Sequence, residues 1–474
     1  MLFNSFQYLL FLPLVVCTYF LIPQRFRWVL LLIASYYFYM CWRMEYIILI
    51  AGTTLIDYSV GLAISAAKTR PRKLLFLCGS LTVNLGLLFT FKYFDFFSAS
   101  IRAGFELINV TLLSPELKLL LPVGISFYTF QSIAYVVEVY RGNVVAERHL
   151  GRFAAYISFF PQLVAGPIER PNHLLPQFHQ THKPNYALMV SGLNLIAMGF
   201  FKKVVIADRC AVYANEVLAN PTQFGAWATA IGVALFAFQI YCDFSGYSDI
   251  AIGSARLMGY DLMQNFDRPY LSRSISEFWR RWHISLSTWF RDYLYVPLGG
   301  SKRSRWRNHF NVFITFLVSG LWHGASWTFV VWGAFHGGLL VLEREVQGTK
   351  KGDPNTFRSP IKASQIPKIA LTFVLVCIGW IFFRAKSMDH AYLIFKGLTD
   401  FSHGIGSVVV RSGLTENGIL NFVILTISMG IFFLTGFLPR NLKLRHNLLF
   451  LLVISFLILF LGKNSSNDFI YFQF

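Results

Sequence analysis

The stretch SEFWRRWHISLSTWFRDYLYVPLGG, residues 276–300, and the later run GLWHGASW, residues 320–327, decide how this chain is read. Both lie in surroundings that are otherwise strongly apolar. Ionisable side chains are costly in hydrocarbon, so at membrane depth they face a bundle interior, a water-filled path or a reaction centre. His283 and His323 are the residues on which that choice turns.

Working outward, the 474 residues are 55% hydrophobic and only 14% charged, with a mean hydropathy of +0.51. A soluble chain of this length needs far more polar surface, so the fold class is an all-α polytopic membrane protein. A helix of about 20 apolar residues crosses ~30 Å of hydrocarbon. Candidate spans are 5–22, 27–42, 45–65, 74–97, 117–140, 186–206, 225–243, 326–345, 367–384, 419–438 and 447–462. Shorter apolar pieces at 153–165, 246–260 and 310–322 predict re-entrant or half-depth segments, tolerated only where protein or a cavity surrounds them. The apolar segments run almost end to end, which predicts one membrane domain over 1–474 with its core motifs in 241–345. The N-terminal run lacks a basic leader and a small-residue cleavage site, and reads as the first membrane helix.

The net charge is +19. Its basic residues punctuate the apolar runs at Lys68–Lys73, Lys302–Arg307, Lys350–Lys368 and Arg440–Arg445. That is positive-inside patterning, not the continuous stripe of a nucleic-acid binder. Counting spans from these loops places the N-terminus and the tail KNSSNDFIYFQF outside the cytoplasm. The same cationic face can attract anionic membrane lipid or a phosphate-bearing donor. The six cysteines show no CxxC spacing and no HxxxH or HExxH occurs, so neither a disulfide framework nor a metal site is expected.

With Lys302–Arg307 and Lys350–Lys368 both cytoplasmic, the chain between them must enter and return. The WHG turn then holds His323 deep in the membrane. A neutral imidazole there is a competent general base. The alternative is a packing histidine between helices. Gly320, Gly324 and Ala325 are small enough to let a substrate approach. His283 sits in 275–297, a segment suited to an amphipathic helix at the interface or lining a vestibule. It either bonds a reacting group, orients His323, or stays an interfacial histidine. His336, thirteen residues beyond His323, would lie about 20 Å away along one helix, too far for a direct partner. Trp322, Tyr241, Asp243, Asp249, Arg280 and Arg281 are candidates for a substrate path; the two aspartates could equally cap helices. GPIERP, 166–171, reads as a structural turn. Ser326 and Cys242 remain open as nucleophiles.

FWRRWHISLSTWFRDYLYVPLGG followed by SGLWHGASWTFVVWGAFHG resembles the membrane-bound O-acyltransferase superfamily. LPVGISFYTFQSIAYVVEVYRG, LVAGPIERP, QIYCDFSGYSDIAIG, WIFFRA and the ending FIYFQF resemble its bacterial polysaccharide-modifying branch, that of the alginate O-acetylases. The resemblance implies a ring of about 11 or more transmembrane helices, with re-entrant and interfacial helices around a through-membrane tunnel. It maps the catalytic histidine onto His323 and the second active-site position onto His283. It implies an acyl thioester donor on the cytoplasmic side, acetyl-CoA or an acylated carrier, as co-substrate, with no permanently bound cofactor. The acceptor would be an extracytoplasmic polysaccharide such as alginate, reached directly or through an extracytoplasmic acetyltransferase partner. The setting is the bacterial cytoplasmic membrane. D-alanyl transfer to teichoic acid, and a polysaccharide transporter or scaffold without chemistry, are the alternatives.

Overall fold

The computed structural model describes residues 1–112, 115–347, 361–402, 424–431, 444–462 and 469. Among these the regular secondary structure is all helix, without a strand. Five helical segments are long and apolar enough to cross a membrane: Met44–Ala66, Arg70–Glu106, Tyr186–Ala219, Pro221–Leu257 and Ala363–Arg384. Of the expected span 419–438 only 424–431 are described, of the tail from Lys463 only 469, and most of the basic loops 350–368 and 440–445 lie outside the described residues. Two compact units form, one from Met1–Ile196 with Ser248–Met263, the other from Ala197–Tyr247 with Gln264–Phe474.

The first unit holds α1 (Phe6–Leu21), α2 (Gln24–Met40), α3 (Ile47–Ala66), α4 (Arg70–Leu88), α5 (Phe94–Glu106), α6 (Ile125–Arg141), α7 (Leu150–Ser158) and α8 (Pro171–Leu174). Helices α3, α4 and α6 pack pairwise, and α6 is buried along most of its length. Gly124 starts α6 with φ +77, where a Cβ would stand 2.8 Å from the Leu163 carbonyl; only glycine fits that left-handed, crowded position. GPIERP is structural here. Glu169 is fully buried, accepts from the Met263 backbone N–H at 2.5 Å and bonds His173 Nδ1 at 2.7 Å.

Helix α9 (Tyr186–Phe200) leads into the second unit, where a π-turn, Phe201–Ala207, precedes α10 (Asp208–Ala219). There follow α11 (Pro221–Leu257), α12 (Ile275–Arg281), α13 (Ile284–Phe290), α14 (Arg305–His323), α15 (Trp327–Gln347), α16 (Ile366–Arg384), α17 (Met388–Leu398) and α18 (Leu444–Leu461). Helices α14 and α15 form a close antiparallel hairpin. At Gly320 a Cβ would overlap the Phe329 carbonyl and stand 3.1 Å from the Gly333 Cα. The two backbones meet because neither helix has a side chain there.

Three expectations change. Residues 246–260 are no separate half-depth piece, because they largely continue α11, whose one break in helical geometry is at Gly225 (φ 74, ψ −177). Residues 310–322 belong to a full 19-residue helix. The segment 275–297 is not one amphipathic helix. Trp282 turns extended and His283 adopts φ 43, ψ 55, so the chain breaks between α12 and α13. A left-handed histidine is uncommon and has to be held by its surroundings.

Candidate active site

What holds His283 is Asn265. Its carbonyl accepts from the Ile284 backbone N–H at 2.9 Å. Its side-chain Oδ1 meets three groups: His283 Nδ1 at 3.1 Å, Ser285 Oγ at 2.9 Å and the Ser285 backbone N–H at 3.3 Å. A backbone N–H is only a donor, so the atom facing it is the amide oxygen and not its nitrogen. Nδ1 of His283 therefore carries the proton, and Nε2 carries the lone pair. Burial pushes this imidazole down to about 3, so the ring is neutral at physiological pH. Phe244 meets it edge-on at 4.7 Å.

His323 ends α14, where Gly324 turns the chain out of the helix. Its ring is buried in an aromatic box: Trp322 at 5.0 Å, Trp332 at 4.9 Å and Phe383 at 5.2 Å between ring centres, all edge-on. Trp322 is also 6.2 Å from His283. One indole thus stands against both histidines, and two residues 40 apart in sequence share a single buried site. Exposure is 1% at His283 and 5% at His323.

The other candidates divide. Tyr241 joins the wall, packing on Phe266, Tyr270 and Trp282 at 5.8, 5.4 and 6.1 Å. Asp243 is engaged elsewhere: the π-turn aims Lys203 between Asp243 (2.8 Å) and Asp208 (3.1 Å), all three buried. Arg281 is paired with Glu277 at 2.5 Å inside its own helix. Asp249 lies half-buried in the first unit's 248–263 stretch. Gly320 and Gly324 do not open a way for substrate. A Cβ at Gly324 would overlap the Phe329 ring, so both glycines serve the hairpin. His336 is on a different helix from His323, not thirteen residues along the same one. Its ring centre is 5.0 Å from Trp332, so Trp332 stands against both rings. Among the described residues neither nitrogen of His336 has a hydrogen-bond partner.

Arg280 lines a cavity of about 390 Å³ with Arg291, Arg344, Tyr295, Thr315 and Ser319. Tyr295 and Arg344 both bond Asn308 Oδ1, at 2.7 and 2.9 Å, beside the basic 302–307 loop. Trp279 also lines the cavity and packs 5.5 Å from Trp332. Two successive indoles, Trp279 and Trp332, therefore connect the cavity that holds these three guanidinium groups to the His323 ring. Asn265, Trp332 and Arg344 escaped the sequence reading: a loop asparagine and a tryptophan on an apolar helix carry no spacing signal.

The description "MBOAT, membrane-bound O-acyltransferase family" matches residues 145–388, a range that contains both histidines, Asn265 and the cavity. The chain is 42% identical over 449 residues to a probable alginate O-acetylase of Pseudomonas putida, covering 92% of this chain and 88% of that one. It is 36% identical over 400 residues to a peptidoglycan O-acetyltransferase of Helicobacter pylori, covering 78% and 73%. A teichoic acid D-alanyltransferase of Bacillus subtilis is 28% identical over 277 residues, 56% of this chain and 70% of that one. With its apolar spans and paired buried histidines, this chain is a multi-pass membrane O-acyltransferase, a member of the membrane-bound O-acyltransferase family in the branch that includes the alginate O-acetylase-like proteins.

Proposed function

We propose that this protein moves an acetyl group from a cytoplasmic thioester to a hydroxyl of an extracytoplasmic polysaccharide such as alginate. The observation that carries the proposal is the pair His283 and His323, both buried and both against the Trp322 indole, where a proton can be handled without bulk water. Greater identity to the alginate O-acetylase than to the D-alanyltransferase favours acetyl. The donor is acetyl-CoA or an acylated carrier protein. Its phosphates meet Arg280, Arg291 and Arg344 at the mouth of the cavity, and its acyl end reaches toward His323 past Trp279 and Trp332. Guanidinium groups suit phosphate because their donors are fixed in a fork.

In the proposed step His323 takes the proton of the acceptor hydroxyl as its oxygen attacks the thioester carbonyl. The C–S bond breaks, and the departing thiolate recovers that proton from the imidazolium. With Nδ1 held by Asn265, neutral His283 offers Nε2 as a hydrogen-bond acceptor. It aligns the acceptor hydroxyl and does not donate to the oxyanion. Tyr241 and Trp322 line the acceptor's path. The wider proposal is a single membrane domain with a ring of helices around a tunnel, in the bacterial cytoplasmic membrane, both termini outside. An extracytoplasmic acetyltransferase partner relays the acyl group where the polymer cannot enter.

The test is sided. In proteoliposomes with acetyl-labelled CoA or labelled carrier on the face bearing residues 302–307, and polymer or a soluble acceptor on the other, label should cross and become ester. Polymer movement without thioester loss would mean a transporter. Label that crosses equally well from either face would refute the assigned direction.

A further inference from the structure

Helix α3 carries an aspartate at its middle. Asp57 stands ten residues after Ile47 and nine before Ala66, about 15 Å from either end. The segment is one of the five long and apolar enough to cross a membrane, and Asp57 stands near its middle. It is completely buried. Ser80 Oγ donates to Oδ1 at 2.6 Å, and Asn84 Nδ2 donates to Oδ1 and Oδ2 at 2.9 and 3.1 Å, both from α4. Ser132 of α6 faces the same carboxyl.

No lysine, arginine or histidine among the described residues is paired with Asp57. The titratable neighbours are the Tyr135 phenol on α6 and, around it, Tyr58 and Glu147, none of which supplies positive charge. A carboxylate in hydrocarbon without a counter-charge neutralises itself by taking up a cation. Ser132 Oγ hydrogen-bonds the carboxyl, and one further oxygen stands ready: Asn84 Oδ1 is buried and has no hydrogen-bond partner among the described residues. A buried polar atom in that condition calls for a ligand or water.

Asp57 Oδ1 and Oδ2, Ser80 Oγ, Asn84 Oδ1 and Ser132 Oγ make five oxygens from three helices. An all-oxygen set suits hard cations over transition metals, and one formal negative charge balances a monovalent ion. A half-turn of the Asn84 amide exchanges its nitrogen for its oxygen beside the carboxyl. We propose that the pocket formed by Asp57, Ser80, Asn84 and Ser132 is a binding site for sodium, for which a proton competes at the same carboxyl. This is independent of the acyl-transfer chemistry and concerns the α3–α4–α6 cluster.

The test uses the full chain in nanodiscs. Thermal unfolding is followed in choline chloride as sodium is added, with potassium as control. In parallel, infrared spectroscopy follows the carbonyl stretch of a protonated carboxylic acid. We expect a saturable rise in Tm with sodium alone, a half-saturating concentration that increases as pH falls, and an acid band that sodium removes. Asp57→Asn, isosteric with the neutral acid, should fold and lose the sodium response and the band; Ser132→Ala should weaken the response. A Tm indifferent to sodium, an acid band that sodium never displaces, or a sodium response that persists in Asp57→Asn would each overturn the proposal.

Discussion

Replacing Asn265 by alanine tests whether a loop amide sets the chemistry of His283. Three donors converge on Asn265 Oδ1: the His283 Nδ1–H, the Ser285 hydroxyl and the Ser285 backbone N–H. The Ser285 hydroxyl can turn away, but the imidazole and the backbone N–H stay buried. A buried donor left without its acceptor costs ~1–3 kcal/mol. The share that falls on His283 alone is therefore about 10–100-fold in rate, at 1.4 kcal/mol per tenfold. Because the loss is of ring orientation and tautomer, kcat should fall while the donor KM holds. Asn265→Asp is the rescue: it keeps an acceptor oxygen facing all three donors and restores most turnover at neutral pH. It also places a negative charge beside an imidazole that burial holds at about 3, and so raises that value. His283 can accept the hydroxyl's hydrogen bond at Nε2 only when neutral. The acid limb of the pH–rate profile, below the working range in the wild type, should therefore move upward in Asn265→Asp, with activity lost as pH falls through it. The assay is label transfer from thioester to a soluble acceptor in proteoliposomes, read across pH. Wild-type kcat in Asn265→Ala with an unchanged profile would refute the assignment.

Other expectations rest on separate contacts. Lys203→Ala removes the cation that Asp208 and Asp243 share and should destabilise the protein by ~3–5 kcal/mol, read as thermal unfolding in detergent, with Lys203→Arg partly restoring it. Gly320→Ala puts a Cβ into the Phe329 carbonyl and 3.1 Å from the Gly333 Cα; splaying the hairpin should cost ~1–3 kcal/mol and lower transfer while the chain still inserts. His173 is raised to about 10 by hydrogen bonds to Asp261 and Glu169. Its folded value lies above its free value of 6.5, so its contribution is complete below that pH and fades as pH rises toward 10. Unfolding midpoints of the wild type should decline across that window, and the decline should shrink in His173→Gln.

The sequence was most legible where hydropathy or residue type is itself the signal. The helices at 6–21, 24–40, 47–66 and 366–384 follow directly from apolar run length, and His283 and His323 stand out because imidazoles are expensive in an apolar chain. Long-range geometry was not legible. Nothing local announces that Asp243 meets a lysine 40 residues away, or that residues after Tyr241 continue α11 instead of dipping to half depth. The break at Trp282–His283 is invisible to periodicity, because a polar loop residue, Asn265, imposes it through hydrogen bonds. Gly320 and Gly324 misled for a related reason: glycine beside a candidate base suggests room for substrate, whereas here its neighbour across the hairpin, Phe329, fills that room.

The most direct measurement is acyl transfer by His323→Ala, purified and reconstituted at matched density, with thermal unfolding checked against the wild type. We expect label on the acceptor to fall by about 10²–10⁴-fold while insertion and unfolding stay close to wild type. Acceptor acetylation at the wild-type rate in that variant would contradict the role given to this imidazole.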